Sequence, residues 1–339
     1  MLSTLTTLGL GGPARRFVRI ESINELRDVL ATEDPVLILG GGSNLVVSDA
    51  GFDGLVIQLG LTGVTITPHG LVTAGAGVGW DDLVAQTIDA GLAGFECLSG
   101  IPGLVGATPM QNVGAYGQEV KDTIAEVRAW DRRARATVTL SAAECDFRYR
   151  ESRLKDEAGR WVVLGVRFVL ARSLQSAPIA YAELARALGV TEGQTAPLAQ
   201  VRDTVIALRR GKGMVLDAAD PESTSAGSFF MNPIVDDAML AIVEERVRTR
   251  VASVKIPRFP GPPGRTKLPA AWLIERAGFA KGHGAGRVGI SKKHTLALVN
   301  RGGGTTTELL ALAREVRAGV HEAFGVTLQP EPVMIGCSL

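Results

Sequence analysis

The chain has 339 residues, more than a single hydrophobic core usually accommodates, so two or three domains are expected. Hydrophobic residues make up 46% and charged residues 21%, an ordinary globular balance. Lys plus Arg number 36 against 35 Asp plus Glu, a formal charge of +1 that gives no general electrostatic reason to bind nucleic acid or an anionic membrane and leaves room only for a local basic site. The first twenty residues lack a basic start followed by a continuous apolar stretch, so no signal peptide is expected. No run approaches the roughly 18 apolar residues needed to span a bilayer. Cys97, Cys145 and Cys337 are widely spaced, without a CxxC pair, which points to neither a disulfide framework nor a zinc site. The four histidines have no metal-ligand spacing, and no metal is expected. A reducing, cytoplasmic setting follows.

In chain order, residues 15–20 alternate like a strand, and Val36–Leu39 is an apolar run entering a glycine turn. Residues 55–59 and 71–74 are similar short runs. Residues 81–90 predict a helix with Leu83, Val84, Thr87 and Ile88 on one face and Gly91 as its stop. Residues 126–130, 138–140 and Trp161–Val169 predict strands. Residues 172–200 connect, with a short helical insert at 179–188 that contains Tyr181, and 201–210 is a helix. A second unit follows, with a helix predicted at 236–251, a proline-rich loop at 255–265 and a buried strand at 296–300. The clearest helix is 307–324, with Thr305 and Glu308 at capping-box spacing, Leu309, Ala313, Val316, Val320 and Phe324 on one face, and Gly325 at its end. The class is α+β.

Glycine is the unusual component: 41 residues, clustered before residue 120 and again between 278 and 304. Two glycine patterns, 9–14 and 284–289, match dinucleotide regular expressions but lack the strand-turn-helix context that puts a pyrophosphate on a helix N-terminus, and are rejected. Gly211-Lys212-Gly213 lacks the Ser/Thr of a nucleotide P-loop. More telling is Val36–Leu39 feeding Gly40, Gly41, Gly42, Ser43 and Asn44. Successive main-chain N–H groups in such a turn can form an anion nest, with Ser43 and Asn44 adding donors; an ordinary tight turn is the alternative. Further glycine strings follow at 74–80, 99–109 and 111–117. Four such loops within a short stretch favour one large, backbone-lined ligand, and a dinucleotide cofactor fits.

The runs ILGGGSNLVVSDAGFDGLVI, GAGVGWDDLV and LSGIPGLVGATPMQNVGAYGQEV resemble the FAD-binding half of the UDP-N-acetylenolpyruvoylglucosamine reductase family, and the resemblance continues through FRYRESRLK, AGSFFMNP, AAWLIERAG and QPEPVMIG over nearly the whole chain. It implies a vanillyl-alcohol-oxidase-type FAD-binding fold of two lobes, 1–60 (with 326–339 returning to it) and 61–205, plus a C-terminal α/β substrate-binding domain at 206–325. It also implies non-covalent FAD, NADPH as reductant, and reduction of UDP-N-acetylglucosamine enolpyruvate to UDP-N-acetylmuramate in peptidoglycan synthesis. The partners are these small molecules, with no nucleic acid or membrane, and the chain is expected to be a monomer.

By the same resemblance, FAD is held by Gly40, Gly41, Gly42, Ser43, Asn44, Gly103, Gly106, Ala107, Gln111, Asn112, Gly114, Ala115 and Tyr116. Ser228 matches the proton donor, Arg150 the catalytic arginine and Glu331 the catalytic glutamate. The chemistry needs such groups: a guanidinium fork for a carboxylate, a stabiliser of growing negative charge, and a positioned acid. Arg148 and Arg153 flank Arg150, and only the match of Tyr149-Arg150-Glu151-Ser152 singles out the middle one. Pro330 and Pro332 stiffen the segment around Glu331. Tyr181 falls where one subtype carries a substrate-binding tyrosine; Lys212 and Asn232 are further candidates for the uridine diphosphate sugar. Met231 departs from the pattern, standing where a basic residue is common. Two rivals are an alcohol oxidase of the same fold, which would be reduced by an alcohol and consume oxygen, and a flavin-free nucleotide-sugar binding protein, which would be colourless.

Overall fold

The computed structural model describes residues 1–250 and 255–339. Its contacts group the chain into a C-terminal unit (Met1–Pro13, Ser43–Phe52 and Lys212–Leu339) and an N-terminal unit (Ala14–Gly42 and Asp53–Gly211).

The N-terminal unit contains two sheets. In one, Phe52–Leu59 lies between Ala14–Ile20 and Val36–Leu39, the last pairing parallel to it with Val36 opposite Leu55 and Leu39 opposite Gln58. The other is antiparallel, in the order Ala136–Ser141, Ile124–Asp131, Trp161–Val169, Leu71–Gly75 and Val64–Ile66. Trp161–Val169 is buried along most of its length, which explains a sequence with little polar alternation. The predicted helix is Trp80–Asp89, and Leu83, Val84, Thr87 and Ile88 all face inward. Trp80 packs against Phe95 with centroids 4.9 Å apart, and Phe95 meets Phe168 edge-on at 5.0 Å. The buried indole N–H donates to Leu98 O at 3.1 Å, so the cluster carries no orphaned donor there. A satellite cluster joins Cys97 to the insert: Ile179, Leu184 and Leu188 pack with Val201 and Val205 of the helix Leu198–Gly211.

The C-terminal unit is built around Thr306–Phe324, whose Leu309, Ala313, Val316, Val320 and Phe324 are buried as their spacing predicts. Thr305 and Glu308 form the capping box, and Gly325 ends the helix at φ +76°. Asp49 adds to the cap, accepting from the N–H groups of Thr306 (2.7 Å) and Thr307 (2.9 Å). Burial opposes ionisation of Asp49, but these bonds outweigh it and hold its carboxyl below the usual range. Leu45–Val47 pairs parallel to Val333–Ile335. The helix predicted at 236–251 is Asp237–Arg250; Val251 lies outside the described residues. The proline-rich stretch is less of a loop than its composition predicts: Phe259–Pro260 pairs with Arg265–Lys267, which in turn pairs with Ile234–Asp236. The Arg265 N–H closes the turn on Pro262 O at 2.9 Å, and the proline-bearing strand lies at the sheet edge, where no donor is missed.

Both rejected glycine patterns have structural explanations. A side chain at Gly12 would overlap the Asp49 carbonyl. The loop 282–290 wraps the Arg301 guanidinium, which donates to the carbonyls of Gly282, Gly284, Gly286 and Ile290. These later glycines let main chain close around an arginine.

Candidate active site

The N-terminal unit brings the early glycine strings together. Val36–Leu39 delivers Gly40–Gly42 at its C-terminal end, where ligands of parallel strands commonly bind. A Cβ at Gly41 would stand 2.8 Å from Gly103 Cα, one at Gly40 3.6 Å from Ala107 Cβ, and one at Gly106 2.6 Å from Ala76 Cβ. Gly106 N–H also bonds Ala76 O at 3.0 Å, and Val105 N–H bonds Val78 O at 2.9 Å. A side chain is excluded at Gly41 and Gly106, while one at Gly40 would make ordinary contact, so the close approaches are main chain, which suits the phosphates and planar ring of a flavin dinucleotide.

Next to these strings, Gly114–Ala115 pairs with Gln118–Glu119 in a hairpin whose tip, Tyr116 and Gly117, has φ of +49° and +88°. Tyr116 meets Tyr181 edge-on, centroids 5.5 Å apart. Burial pushes the Tyr116 hydroxyl up to about 12 and raises that of Tyr181, so both stay protonated as donors. Arg150 Nη2 donates to Gly114 O at 2.9 Å. Arg150 sits at the tip of a second tight hairpin, closed by Arg148 N–H to Glu151 O (2.9 Å) and Glu151 N–H to Arg148 O (3.2 Å), with φ of +59°. That left-handed conformation costs a non-glycine residue about 1–2 kcal/mol. Asn112, itself at φ +45°, braces the hairpin: its Nδ2 donates to Arg148 O at 3.1 Å and to Glu119 at 2.8 Å. Left-handed non-glycine residues at Asn112, Tyr116 and Arg150 thus gather in one place, as strain does at functional sites.

The three neighbouring arginines have different fates. Arg148 is committed to Asp146, Glu151 and Asp156. Arg153 pairs with Glu157 and lies 5.3 Å from the Trp161 ring centre. Arg150 is the one directed to Gly114. Sequence reasoning gave no role to Arg209, which neighbours Arg150 and Tyr116. It is half-buried; burial pulls its pKa down to about 10 and the neighbouring Arg150 pulls the same way, against Tyr116 and Asp81. The signal was present: Arg209 is spaced four and eight residues from the buried Val205 and Val201, so a cation interrupts an apolar helix stripe.

In the C-terminal unit, Ser228 and Glu331 are brought together by main-chain pairing. Phe230 bridges Pro330; Glu331 N–H donates to Phe229 O (2.9 Å) and Met231 N–H to Gln329 O (2.9 Å). Phe229 N–H also donates to Leu296 O at 2.7 Å, and both phenylalanines are buried. Burying the two rings fixes the segment and leaves Ser228 only partly covered. Asn44 joins the same place: its Nδ2 donates to Glu331 O at 3.4 Å, and its carbonyl accepts from Val333 N–H at 2.9 Å. Ser43 precedes it in this unit. Asn232 Oδ1 accepts from Ala270 N–H at 2.9 Å, tying it to the start of the helix Ala270–Arg276. Lys212 opens the unit after the helix Leu198–Gly211.

Residues 14–139 match the family model of an FAD binding domain, so the glycine-lined cradle belongs to a flavoprotein of α+β fold. Residues 220–335, which contain Ser228 and Glu331, match the model of the UDP-N-acetylenolpyruvoylglucosamine reductase C-terminal domain. The chain is 57% identical over its whole length to the UDP-N-acetylenolpyruvoylglucosamine reductase of Thermobifida fusca, covering 97% of that protein, and 56% identical to that of Streptomyces coelicolor, covering 90%. It also matches the crystal structure of the reductase from Thermus caldophilus at 28% identity and a TM-score of 0.68, covering 99% of this chain and 97% of that one. The chain belongs to the UDP-N-acetylenolpyruvoylglucosamine reductase family. Among the described residues, no helix is long and apolar enough to cross a membrane.

Proposed function

We propose that this chain uses NADPH and non-covalently held FAD to reduce UDP-N-acetylglucosamine enolpyruvate to UDP-N-acetylmuramate for peptidoglycan synthesis. The observation that carries this reading is the pairing that sets Ser228 beside Glu331, in a chain that is 57% identical over its full length to a reductase of that name. Gly40, Gly41, Gly42, Ser43, Asn44, Gly103, Gly106, Ala107, Gln111, Asn112, Gly114, Ala115 and Tyr116 would hold the flavin. Bound there, FAD would supply the hydride-transfer chemistry that links NADPH to the vinyl CH2 carbon.

The protein supplies position and charge. Arg150 grips the substrate carboxylate through paired charge-assisted bonds and offsets the negative charge that grows there. Ser228 gives its hydroxyl proton to the carbon bearing that carboxylate, which completes addition of one hydride and one proton across the double bond. Such a weak acid works only where water is excluded and its geometry is fixed, and burial of Phe229 and Phe230 fixes it. Glu331 serves the carboxylate end of the substrate. Tyr181, Lys212 and Asn232 bind the uridine diphosphate sugar, with lysine acting on the diphosphate as a point charge.

In this reading the lobes 1–60 and 61–205 hold FAD and 206–325 holds the nucleotide sugar, in a monomer working in the cytoplasm. The test is NADPH oxidation by the yellow holoenzyme. It should depend on the enolpyruvyl nucleotide sugar and yield the lactyl ether in equal amount. Flavin reduction by an alcohol with oxygen uptake, and no response to the nucleotide sugar, would overturn the reading.

A further inference from the structure

We infer that Lys155 is a positioning residue for the reaction, acting through Arg150 by clamping its main chain in the left-handed conformation. The inference rests on the assignment of Arg150 to the substrate carboxylate. A left-handed residue at a hairpin tip is held only by what surrounds it. Returning Arg150 to ordinary negative φ would reorient its Cα–Cβ bond and carry the guanidinium away from Gly114.

The frame of the hairpin is well anchored. Its two cross-bonds close it, Asn112 holds Arg148 O, and Ser152 Oγ donates to Met110 O at 2.6 Å. Those bonds act on the residues flanking Arg150. Lys155 acts on Arg150 itself: its ammonium Nζ donates to the Arg150 carbonyl at 3.0 Å. Lys155 is presented by the helical turn Arg153–Asp156, which Ser152 caps by accepting from Lys155 N–H at 3.3 Å. The motif is therefore a closed device. The turn that follows the strained tip folds back, and its cation fixes the tip's carbonyl. A charge-assisted bond to a carbonyl is of the size needed to offset left-handed strain.

The experiment compares Lys155→Met, which keeps the aliphatic stem, Lys155→Arg, which keeps a donor, Arg150→Ala and the double variant R150A/K155M, all as FAD holoenzymes. The readout is the Kd of the enolpyruvyl nucleotide sugar for oxidised enzyme, followed by the flavin absorbance change, together with steady-state KM and kcat. K155M should raise Kd on the order of tenfold in the Arg150 background. In the R150A background it should change Kd less than about twofold, because a residue acting through Arg150 has nothing left to position. K155R should recover most of the loss. Equal effects of K155M in both backgrounds, or none in the Arg150 background, would overturn the inference. Should K155M lose FAD or thermal stability, Lys155→Gln carries the same comparison. Normal binding by R150A would instead overturn the assignment of Arg150 itself, so the two failures are distinguishable.

Discussion

Arg150 stands at a hairpin tip with φ +59° and is steadied by side chains, whereas Ser228 stands in a segment whose main chain is bonded on two sides and whose neighbouring rings are buried. The first arrangement stores backbone strain and aims a long, charged group. The second stores none at Ser228 and fixes a short hydroxyl whose reach is small. A long side chain can be aimed by a strained tip because its own bonds recover part of the cost. A hydroxyl has no such reserve, so its backbone must already be in place.

The comparison can be broken or sharpened at several points. The largest effect is expected from Ser228→Ala. NADPH should still reduce the flavin, while reoxidation by the enolpyruvyl sugar should slow by ~10²–10⁴-fold, with folding stability nearly unchanged. Stopped-flow of the two half-reactions checks this, and wild-type rates in both would remove Ser228 as the acid. Arg150→Lys should lower kcat/KM by roughly 10–100-fold, because an ammonium keeps the charge but loses the fork.

A stability test then separates the two positions by sign. At Arg150, Gly should be more stable than Ala by about 1 kcal/mol, since only glycine takes positive φ without strain. At Ser228, whose φ is not positive, Ala should be at least as stable as Gly. Urea midpoints of the four variants decide it, and the same order at both positions would refute the contrast.

The smallest effect concerns the end of the strand Ile124–Asp131. Asp131 accepts from Arg160 at 2.6 Å and from the N–H groups of Arg133 and Ala134, and Arg160 foremost holds its carboxyl down at about 2 against an ordinary 3.8. A depressed carboxyl contributes stability that is present above the unfolded value and lost as pH falls through the folded one. Asp131→Asn should therefore weaken the fold at pH 7. Its deficit should shrink between about pH 4 and pH 2, read as urea midpoint against pH.

Much of the site was legible because local chemistry leaves marks. Four glycine strings in the first third marked a main-chain cradle, and the approach of Gly41 to Gly103 shows why glycine is required. Arg150 was picked out by resemblance and not by its type. Only the structure shows that Arg150 is the one of the three that donates to Gly114 O. Arg209 was given no role, although its place on an apolar stripe distinguishes it from Arg210. The pairing of 259–260 with 265–267 was hidden by prolines, whose effect on a strand depends on whether it lies at an edge.

Sequence by itself determined the α+β class, the helix Thr306–Phe324 with both its caps, and the glycine cradle, because each depends on residues close together in the chain. Tertiary structure decided that Phe229 and Phe230 meet the segment about 100 residues later that carries Glu331, and that Asn112 reaches the Arg148 carbonyl while Lys155 reaches that of Arg150. These depend on long-range pairing and on which donors end up near which carbonyls, and no local pattern encodes either before the chain has folded.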